Sequence, residues 1–510
     1  MDRVKAVALD TPSIALSTLS VLAIYFCFHL FQTAWRLRHI PGPFWARFTN
    51  IQRALWVKTM RSHEIHQEAH QKYGNCVRMG PNMVSIDDPA AIPTLYPMRR
   101  GFTKSLFYRG IMPYTNGGAL PAIFTTQDEQ QHKDLKTPVA AMYSQTNVIT
   151  FEPFVDEVLA VLFDQLNQRF VKSQARFDLG DWLQYFAFDV MGTMTFSKRY
   201  GFLETGTDVN GMLDAIWQFM LTIAPMTQIP LVDRIWYKSP LANLLGNQVA
   251  VPILKIVSQN LDERQAKGGV HMETDADIKN GDFLSRFMKI QATNSKIPSW
   301  SSRTWTFSNV IAGSDSSSSV MRTAMFHILA NPATLYTLNK ELRAANLTLP
   351  YPKWNEVREL PYLDACINEA VRVHPPFCLP LERVAPEGGV VICGQHFPQG
   401  TCIGMNPYVV NRHKPTFGED ADLWRPERWM VGPAERKKLE GSIMTFGAGR
   451  RTCLGKHIAL LEIKKVVPAL LLNYDINLLD ANTYFVENSY FFRQEGIDVT
   501  IQKRDMTLEV

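Results

Sequence analysis

The chain has 510 residues, 46% of them hydrophobic, so it is long enough to bury a large core. The formal net charge is only +5 and no long lysine–arginine block occurs, which argues against a nucleic-acid-binding protein. The seven cysteines are odd in number and none are spaced as CxxC, which argues against a disulfide scaffold or a structural zinc site.

The N-terminal region is predicted to be a single transmembrane helix. Between Thr11 and Trp35 no side chain is formally charged at neutral pH, and the apolar centre, residues 14–31, is long enough to cross a bilayer. Three arginines follow, so the positive-inside rule places the C-terminal part in the cytosol. A cleaved signal peptide is the alternative, but no small-residue cleavage site closes the apolar run. The sequence therefore predicts a membrane anchor over residues 1–35.

Residues 46–510 are predicted to form one domain that is mostly α with a small β portion. The two prolines of Pro41-Gly42-Pro43 predict a stiff hinge, residues 36–45, between the anchor and this domain. Hydrophobic periodicity predicts helices at residues 62–73, 151–169, 181–196, 211–224, 249–266, 302–330, 332–345, 363–373 and 454–471. Residue type and turn signals predict strands at residues 75–79, 83–86, 390–393 and 401–404. Residues 101–126 form an aromatic-rich connection without a clear period, and such long loops are often functional.

Cys453 lies in a glycine-rich segment directly before a predicted helix. Taken alone, a single cysteine is usually an inert, buried thiol. Here the helix N-terminus stabilises a thiolate, and Arg451 supplies a cation beside it. A zinc site would need further ligands, and only His457 is near in sequence. The segment therefore indicates a functional thiolate.

The residues around Cys453 fill the pattern F-x-x-G-x-R-x-C-x-G, with Phe446, Gly449, Arg451 and Gly455 at the other fixed positions. This pattern resembles the haem-binding loop of cytochrome P-450 enzymes. The resemblance implies the cytochrome P-450 fold and haem b, with the iron held by the Cys453 thiolate. Such ligation pushes electron density onto the iron and favours cleavage of the O–O bond.

The resemblance further implies a monooxygenase that inserts one oxygen atom from dioxygen into a lipophilic small molecule. Electrons are expected from an NADPH–cytochrome reductase, because the chain shows no flavin or NADPH motif. The chain is similar to fungal microsomal members that oxidise secondary metabolites such as terpenoids or alkaloids. We therefore expect a single-pass protein of the endoplasmic reticulum membrane with a cytosolic catalytic domain.

The predicted helix 302–330 resembles the family's helix over the distal face of the haem. Ala312 and Gly313 would leave room for dioxygen, and Asp315 with Ser316 would pass protons to it. The alternative is that these polar residues only break or cap the helix. Ser316 stands where the family usually has threonine, and its rotamer is less restrained than that of a β-branched residue.

Glu369 and Arg372 share one face of a predicted helix and can pair there. Such a pair is often only a solvated surface contact. In the family it is buried and completed by a second arginine, for which Arg428 is the candidate. We expect this cluster to fix the core behind the haem and not to take part in the chemistry.

The haem propionates need cations or hydrogen-bond donors. The resemblance assigns this role to Arg451, His132, Lys136 and Arg383, although His132 and Lys136 also suit a solvated helix face. A basic patch for the reductase is expected from Lys133, Lys136, Arg450, Lys456 and Lys464. The substrate pocket is expected to be lined by Phe102, Phe107, Ile111, Phe124 and Ile311, with 379–380 and 490–492 completing it.

Two other functions remain open from the sequence. A haem-thiolate isomerase would share the fold and need no external electrons. A non-catalytic haem-binding sensor or membrane scaffold would need no substrate turnover. The acid–alcohol pair Asp315 and Ser316 favours the monooxygenase.

Overall fold

The computed structural model describes residues 11–99, 101–112, 114–115, 118–233, 235, 252–266 and 281–504. Helices dominate these residues, which confirms the predicted fold class. The longer helices are Thr11–Arg36, Ile51–Lys58, Ser62–Tyr73, Glu129–Lys136, Glu152–Leu166, Leu179–Phe196, Met212–Thr227, Pro252–Ala266, Phe283–Thr293, Ser301–Ala330, Pro332–Ala344, Pro361–Val373, Pro433–Gly441 and Lys456–Asn473.

The nine predicted helices are present with small shifts at their ends. Pro332 and Pro361 each stand at the first position of a helix, where the missing N–H costs nothing. The helix predicted at 454–471 begins only at Lys456, because Leu454 and Gly455 continue the loop that carries Cys453. The first residues of the prediction 249–266 lie outside the described residues.

The strands form several small sheets. The largest has the order Cys76–Gly80, Met83–Ile86, Cys402–Gly404, Arg383–Val384, Thr103–Lys104, and a second has the order Tyr474–Leu478, Asp498–Lys503, Phe177–Asp178. Two-stranded hairpins pair Phe485–Ser489 with Phe491–Glu495, Val390–Ile392 with Gln395–Phe397, and Tyr114–Thr115 with Gly118–Ala119. The four predicted strands are confirmed within one residue, whereas the C-terminal strands were not predicted.

The helix Ser301–Ala330, called the central helix below, runs through the core. It packs against Leu179–Phe196, Pro361–Val373 and Lys456–Asn473. Several of its buried hydroxyl groups donate to the carbonyl four residues earlier, as Ser314 does to Val310 at 3.0 Å, whereas those of Ser301, Ser302 and Ser319 have no hydrogen-bond partner among the described residues. A polar helix is thus accommodated at the centre of the domain.

The N-terminal helix Thr11–Arg36 spans 26 residues, or roughly 39 Å at the α-helical rise. Among the described residues it is the one helix long and apolar enough to cross a membrane, and its apolar part is not covered by protein. Arg78 donates to the carbonyls of Thr33 and Ala34 at 2.8 and 2.9 Å, so the last turn of the helix is held against the first strand. The backbone N–H of Arg78 also donates to Pro41 at 2.7 Å, so the proline segment packs on that strand.

Candidate active site

A large cavity lies between the central helix and the cysteine loop, residues 446–455. It holds about 2010 Å³ of atom-free space, part of it open to solvent, and most of its wall is apolar. The predicted site residues that line it are Ala312, Gly313, Ser316, Phe446, Arg451, Cys453, Gly455, His132 and Arg383. Asp315, Gly449, Lys136, Glu369, Arg372 and Arg428 lie outside its wall. The structure thus brings most of the predicted residues around one space.

The cysteine loop is fixed by its own backbone. The N–H of Cys453 donates to the carbonyl of Phe446 at 2.8 Å, which closes the loop. Gly449 has a φ of +62°, and a Cβ at this position would lie 2.0 Å from the carbonyl oxygen of Tyr96. Only glycine fits there, because of the neighbouring backbone and not because of a ligand. The loop presents the Cys453 sulfur to the cavity.

Burial and the neighbouring donors and charges have opposite effects on the pKa of the Cys453 thiol. Burial raises the pKa of the Cys453 thiol, while the backbone N–H groups of Gly455 and Lys456 and the charges of Lys136 and Lys456 oppose this rise. The sequence placed Arg451 beside the thiol as its cation, but Arg451 pairs instead with Glu129 at 2.6 Å. A bound metal ion would displace the thiol proton outright. The loop therefore suits a metal thiolate better than a free one.

Three buried cations and a histidine lie along one part of the cavity wall. They are Lys104, Arg383, Arg451 and His132. The Nδ1 atom of His132 is buried and has no hydrogen-bond partner among the described residues. Burial and the charge of Arg451 lower the pKa of His132 to about 3, so the ring is neutral. This part of the wall is suited to anionic groups.

Lys104 was missed by the sequence reasoning. Its ammonium lies 4.0 Å from the ring centre of Tyr108 and 4.1 Å from that of Phe124, and it donates to the Phe124 carbonyl. Burial lowers the pKa of Lys104 strongly, and the charges of Arg383 and Arg451 add to the effect. No local pattern marks this lysine, because its position in the wall depends on the fold of residues 101–126.

The other two predicted propionate contacts differ in placement. Arg383 is buried and donates to the phenol oxygen of Tyr108 at 3.1 Å and to the carbonyl of Glu382 at 2.8 Å. Lys136 donates to the carbonyl of Arg450 at 2.9 Å, on the outer side of the cysteine loop. Arg383 thus faces the cavity, whereas Lys136 supports the loop.

The middle of the central helix faces the same cavity as Cys453. Ala312, Gly313 and Ser316 line it, and the hydroxyl of Ser316 donates to the carbonyl of Ala312. A Cβ on Gly313 would lie 2.7 Å from the sulfur of Met191, so glycine also permits close packing on the helix Leu179–Phe196. The helix therefore combines the small residues Ala312 and Gly313 with the serines Ser308, Ser316 and Ser317 in the cavity wall.

Asp315 points away from the cavity into a polar chain that reaches the surface. Its carboxylate accepts from Gln184 at 3.0 Å, and Gln184 accepts from Arg322 at 2.8 Å. Arg322 lies 3.5 Å from Asp181, whose side chain is half exposed. Burial raises the pKa of Asp315 to about 6, against the hydrogen bond from Gln184 and the charge of Arg322. Gln184 and Arg322 were not predicted, since they lie on surfaces that only the fold brings together.

The predicted charge cluster is present beside the site. Glu369 and Arg372 form a bidentate pair at 2.7 and 2.8 Å, and neither side chain is exposed. Arg428 lies 3.6 Å from Glu369, while its direct hydrogen bonds go to Asp420 and Phe417. Burial would raise the pKa of Glu369, but the hydrogen bonds and charge of Arg372 hold it below the usual value.

Trp429 was missed as a member of this cluster. Its indole N–H donates to Glu369 at 2.9 Å, and the backbone N–H of Arg425 donates to the other oxygen at 3.0 Å. Both oxygens of the buried carboxylate are therefore satisfied, as a buried charge requires.

Several predicted surface and pocket residues take other places. Of the five predicted pocket residues, Ile111, Phe124 and Ile311 line the cavity, whereas Phe102 and Phe107 do not. Of the two segments predicted to complete the pocket, Tyr490 and Phe491 line the wall, while residues 379–380 and Phe492 lie behind it. Pro376 and Phe377, which were not predicted, also line the wall. The assignment of Lys464 to a docking patch is wrong, because Lys464 is buried and lies 2.7 Å from Asp364.

Comparison with known proteins places this fold and site in one class. Residues 41–489 match the family Cytochrome P450. Cytochrome P450 monooxygenase pkfB of Emericella nidulans is 54% identical over 500 residues, covering 97% of both chains. Cytochrome P450 monooxygenase asR2 of Sarocladium schorii is 52% identical over 505 residues, covering 96% of this chain and 97% of the relative. Cytochrome P450 monooxygenase mfmA of Annulohypoxylon moriforme is 52% identical over 494 residues, covering 95% of each.

A mostly helical fold around a cavity with a single cysteine in its described wall defines a haem-thiolate oxidoreductase. The chain belongs to the cytochrome P450 family and is a monooxygenase. The family's cofactor is haem iron held by a thiolate. The cavity fits such a group, because it offers one open thiol and a buried set of cations with an unpaired imidazole nitrogen.

Proposed function

We propose that Cys453 is the thiolate ligand of haem b and that this protein inserts one oxygen atom from dioxygen into a lipophilic small molecule. The observation that carries the proposal is the Cys453 sulfur, which opens into the same apolar cavity as Ala312, Gly313 and Ser316. When bound, the haem supplies activation of dioxygen, and thiolate ligation favours O–O cleavage.

Arg383, Arg451, His132 and Lys104 would hold the two haem propionates. Three of them are basic side chains with little exposure, and the Glu129 carboxylate pairs with Arg451 and lies 3.1 Å from Arg450. Two further negative charges would therefore be stabilised in this part of the wall. One ring nitrogen of His132 would donate a hydrogen bond to a propionate. This bond would give a partner to the Nδ1 atom, which has none among the described residues.

Asp315 and Ser316 would supply protons to the reaction. Insertion of one oxygen atom consumes two electrons and two protons, and the second oxygen atom leaves as water. With a pKa of about 6, Asp315 exchanges a proton readily near neutral pH. The chain through Gln184 and Arg322 links it to the surface, and the Ser316 hydroxyl, which donates to the Ala312 carbonyl, would turn to donate into the cavity.

Electrons would come from an NADPH–cytochrome reductase. Lys133 and Lys456 are exposed near the cysteine loop and suit an acidic partner. The helix Thr11–Arg36 would anchor the protein in the endoplasmic reticulum membrane, with residues 36–45 as the connection to a cytosolic catalytic domain, residues 46–510. The relatives' names support a monooxygenase role, and a secondary-metabolite substrate such as a terpenoid or alkaloid remains a prediction.

The test is turnover with isotopically labelled dioxygen. The full chain and a reductase, in membranes, would be given NADPH, ¹⁸O₂ and a panel of fungal metabolites. We expect one ¹⁸O atom in the product and none without NADPH. A product formed without NADPH or dioxygen would indicate the isomerase instead. Binding of haem without turnover of any metabolite would indicate the sensor or scaffold.

A further inference from the structure

The tip of the hairpin Phe485–Ser489/Phe491–Glu495 holds a tyrosine in an unusual backbone conformation. Ser489 pairs with Phe491, so Tyr490 alone makes the turn, with a φ of +73°. This left-handed region favours glycine, and a bulky side chain there is strained. The turn alone does not explain why a tyrosine occupies this strained position in the cavity wall.

The hairpin tip is held in place from two sides. Ser489 donates to the carbonyl of Met220 on the helix Met212–Thr227 at 3.2 Å. Phe491 forms an isolated β-bridge with Phe377 on the opposite segment. The surrounding structure therefore fixes the position of Tyr490 and directs its side chain inward, where it is 4% exposed and lines the cavity.

The phenol of Tyr490 has no hydrogen-bond partner in the described part of the chain. Tyr96 donates to Leu381 at 2.9 Å and Tyr143 donates to Asn309 at 3.0 Å, whereas the buried hydroxyl of Tyr200 also has no partner among the described residues. Burial, with the phenol of Tyr108 adding to it, raises the pKa of Tyr490, so its O–H remains a donor. A donor that faces the cavity without a protein acceptor can be paired by a ligand oxygen.

The wall around this donor is aromatic. Phe124 and Phe377 are stacked at 14° with ring centres 5.9 Å apart. Phe377 lies 5.4 Å from Tyr490 and 5.0 Å from Phe491, measured between ring centres. Flat rings bind well against such surfaces through offset or edge-to-face contacts. Lys104 lies 4.1 Å from the ring centre of Phe124, so this aromatic surface adjoins the basic side chains proposed to hold the propionates.

We propose that Tyr490 donates a hydrogen bond to an oxygen acceptor of the substrate, which is a flat aromatic or conjugated molecule carrying a carbonyl or phenolic oxygen. This inference rests on the proposed monooxygenase function and gives it a substrate class. Tyr490 sets specificity by direct contact, while Phe124, Phe377 and Phe491 supply the surface on which the ring lies.

The experiment compares two probes of nearly equal shape, 2-acetylnaphthalene and 2-ethylnaphthalene, of which only the first carries an oxygen acceptor. Dissociation constants would be measured by absorbance titration of the full-length haem-loaded protein. Tyr490→Phe keeps the ring and removes the donor. We expect the acetyl probe to bind about three- to tenfold more weakly and the ethyl probe to be unaffected.

Tyr185→Phe is the matched control, because it removes the same hydroxyl from a residue outside the cavity wall. Equal weakening of both probes would show that Tyr490 only packs, and no change for either would show that its donor is unused. Failure of the wild-type protein to bind either probe would overturn the aromatic class. Each outcome is read on protein whose thiolate absorption band and labelled-oxygen turnover are intact, so the monooxygenase assignment is judged separately.

Discussion

The carboxyl group of Glu462 is buried without a charged partner. The substitution Glu462→Gln tests how this burial makes the stability of the protein depend on pH. It lies on the helix Lys456–Asn473, is fully buried, and neither carboxyl oxygen has a hydrogen bond of good geometry among the described residues. Burial raises the pKa of Glu462 to about 8, and the nearby Ser317 hydroxyl only partly opposes this. The folded protein therefore carries a protonated Glu462 at neutral pH.

The unfolded chain releases this proton near its ordinary pKa of 4.5. Because the folded pKa is raised, the stabilising contribution is complete below pH 4.5 and is lost as the pH rises toward 8. The slope is about 1.4 kcal/mol per pH unit, which amounts to about 2.5 kcal/mol between pH 5 and pH 7. Because glutamine cannot ionise, Glu462→Gln removes this dependence of the unfolding free energy on pH, whatever the substitution does to stability at any one pH.

The assay is thermal unfolding of the full chain in detergent at pH 5, 6 and 7. For a chain of this size, about 1 kcal/mol of stability corresponds to about 1 °C in melting temperature. The difference in melting temperature, Glu462→Gln minus wild type, should therefore increase by about 2–3 °C between pH 5 and pH 7. Glu419→Gln, at an exposed carboxylate, is the control and should follow the wild-type profile. Parallel profiles for wild type and Glu462→Gln would refute a protonated, buried Glu462.

Three further predictions concern the site. Arg372→Ala strands a buried carboxylate and should cost about 3–5 kcal/mol and abolish haem incorporation, whereas Arg425→Ala, at an exposed arginine, should keep it; normal haem content in the first variant would contradict this. Lys104→Met should release haem to an excess of apomyoglobin several-fold faster, and an unchanged rate would remove this lysine from the propionate contacts. Asp315→Asn should lower product formed per NADPH by about tenfold or more and raise peroxide, and Gln184→Leu should do so more mildly. Wild-type coupling should fall above pH 6 as the Asp315 carboxyl loses the proton that it supplies; unchanged peroxide yields would argue against this proton route.

The parts of this protein that were predictable are those whose signal is local in sequence. The apolar period of residues 302–330 predicts the central helix, because one face of a helix repeats every three to four residues. The residues around Cys453 are contiguous, so one pattern indicates the whole cysteine loop. The Glu369–Arg372 pair is also local, because one helical turn joins the two positions.

The parts that were missed depend on contacts between distant segments. Trp429 reaches Glu369 across 60 positions, and Gln184 reaches Asp315 across 131. No spacing rule links such residues, since tertiary packing alone brings them together. The ion pair of Arg451 with Glu129 was not predicted for the same reason, because Glu129 comes from a helix 322 positions earlier.

The central claim is that the Cys453 sulfur is the iron ligand, and the absorption spectrum of the reduced, carbon-monoxide-treated protein tests it most directly. We expect the long-wavelength band of a thiolate-ligated haem in the wild type and in Cys393→Ser, which alters an exposed thiol outside the cavity. Cys453→Ser should lose the band. Persistence of the band in Cys453→Ser, or its absence from the wild type, would contradict the account.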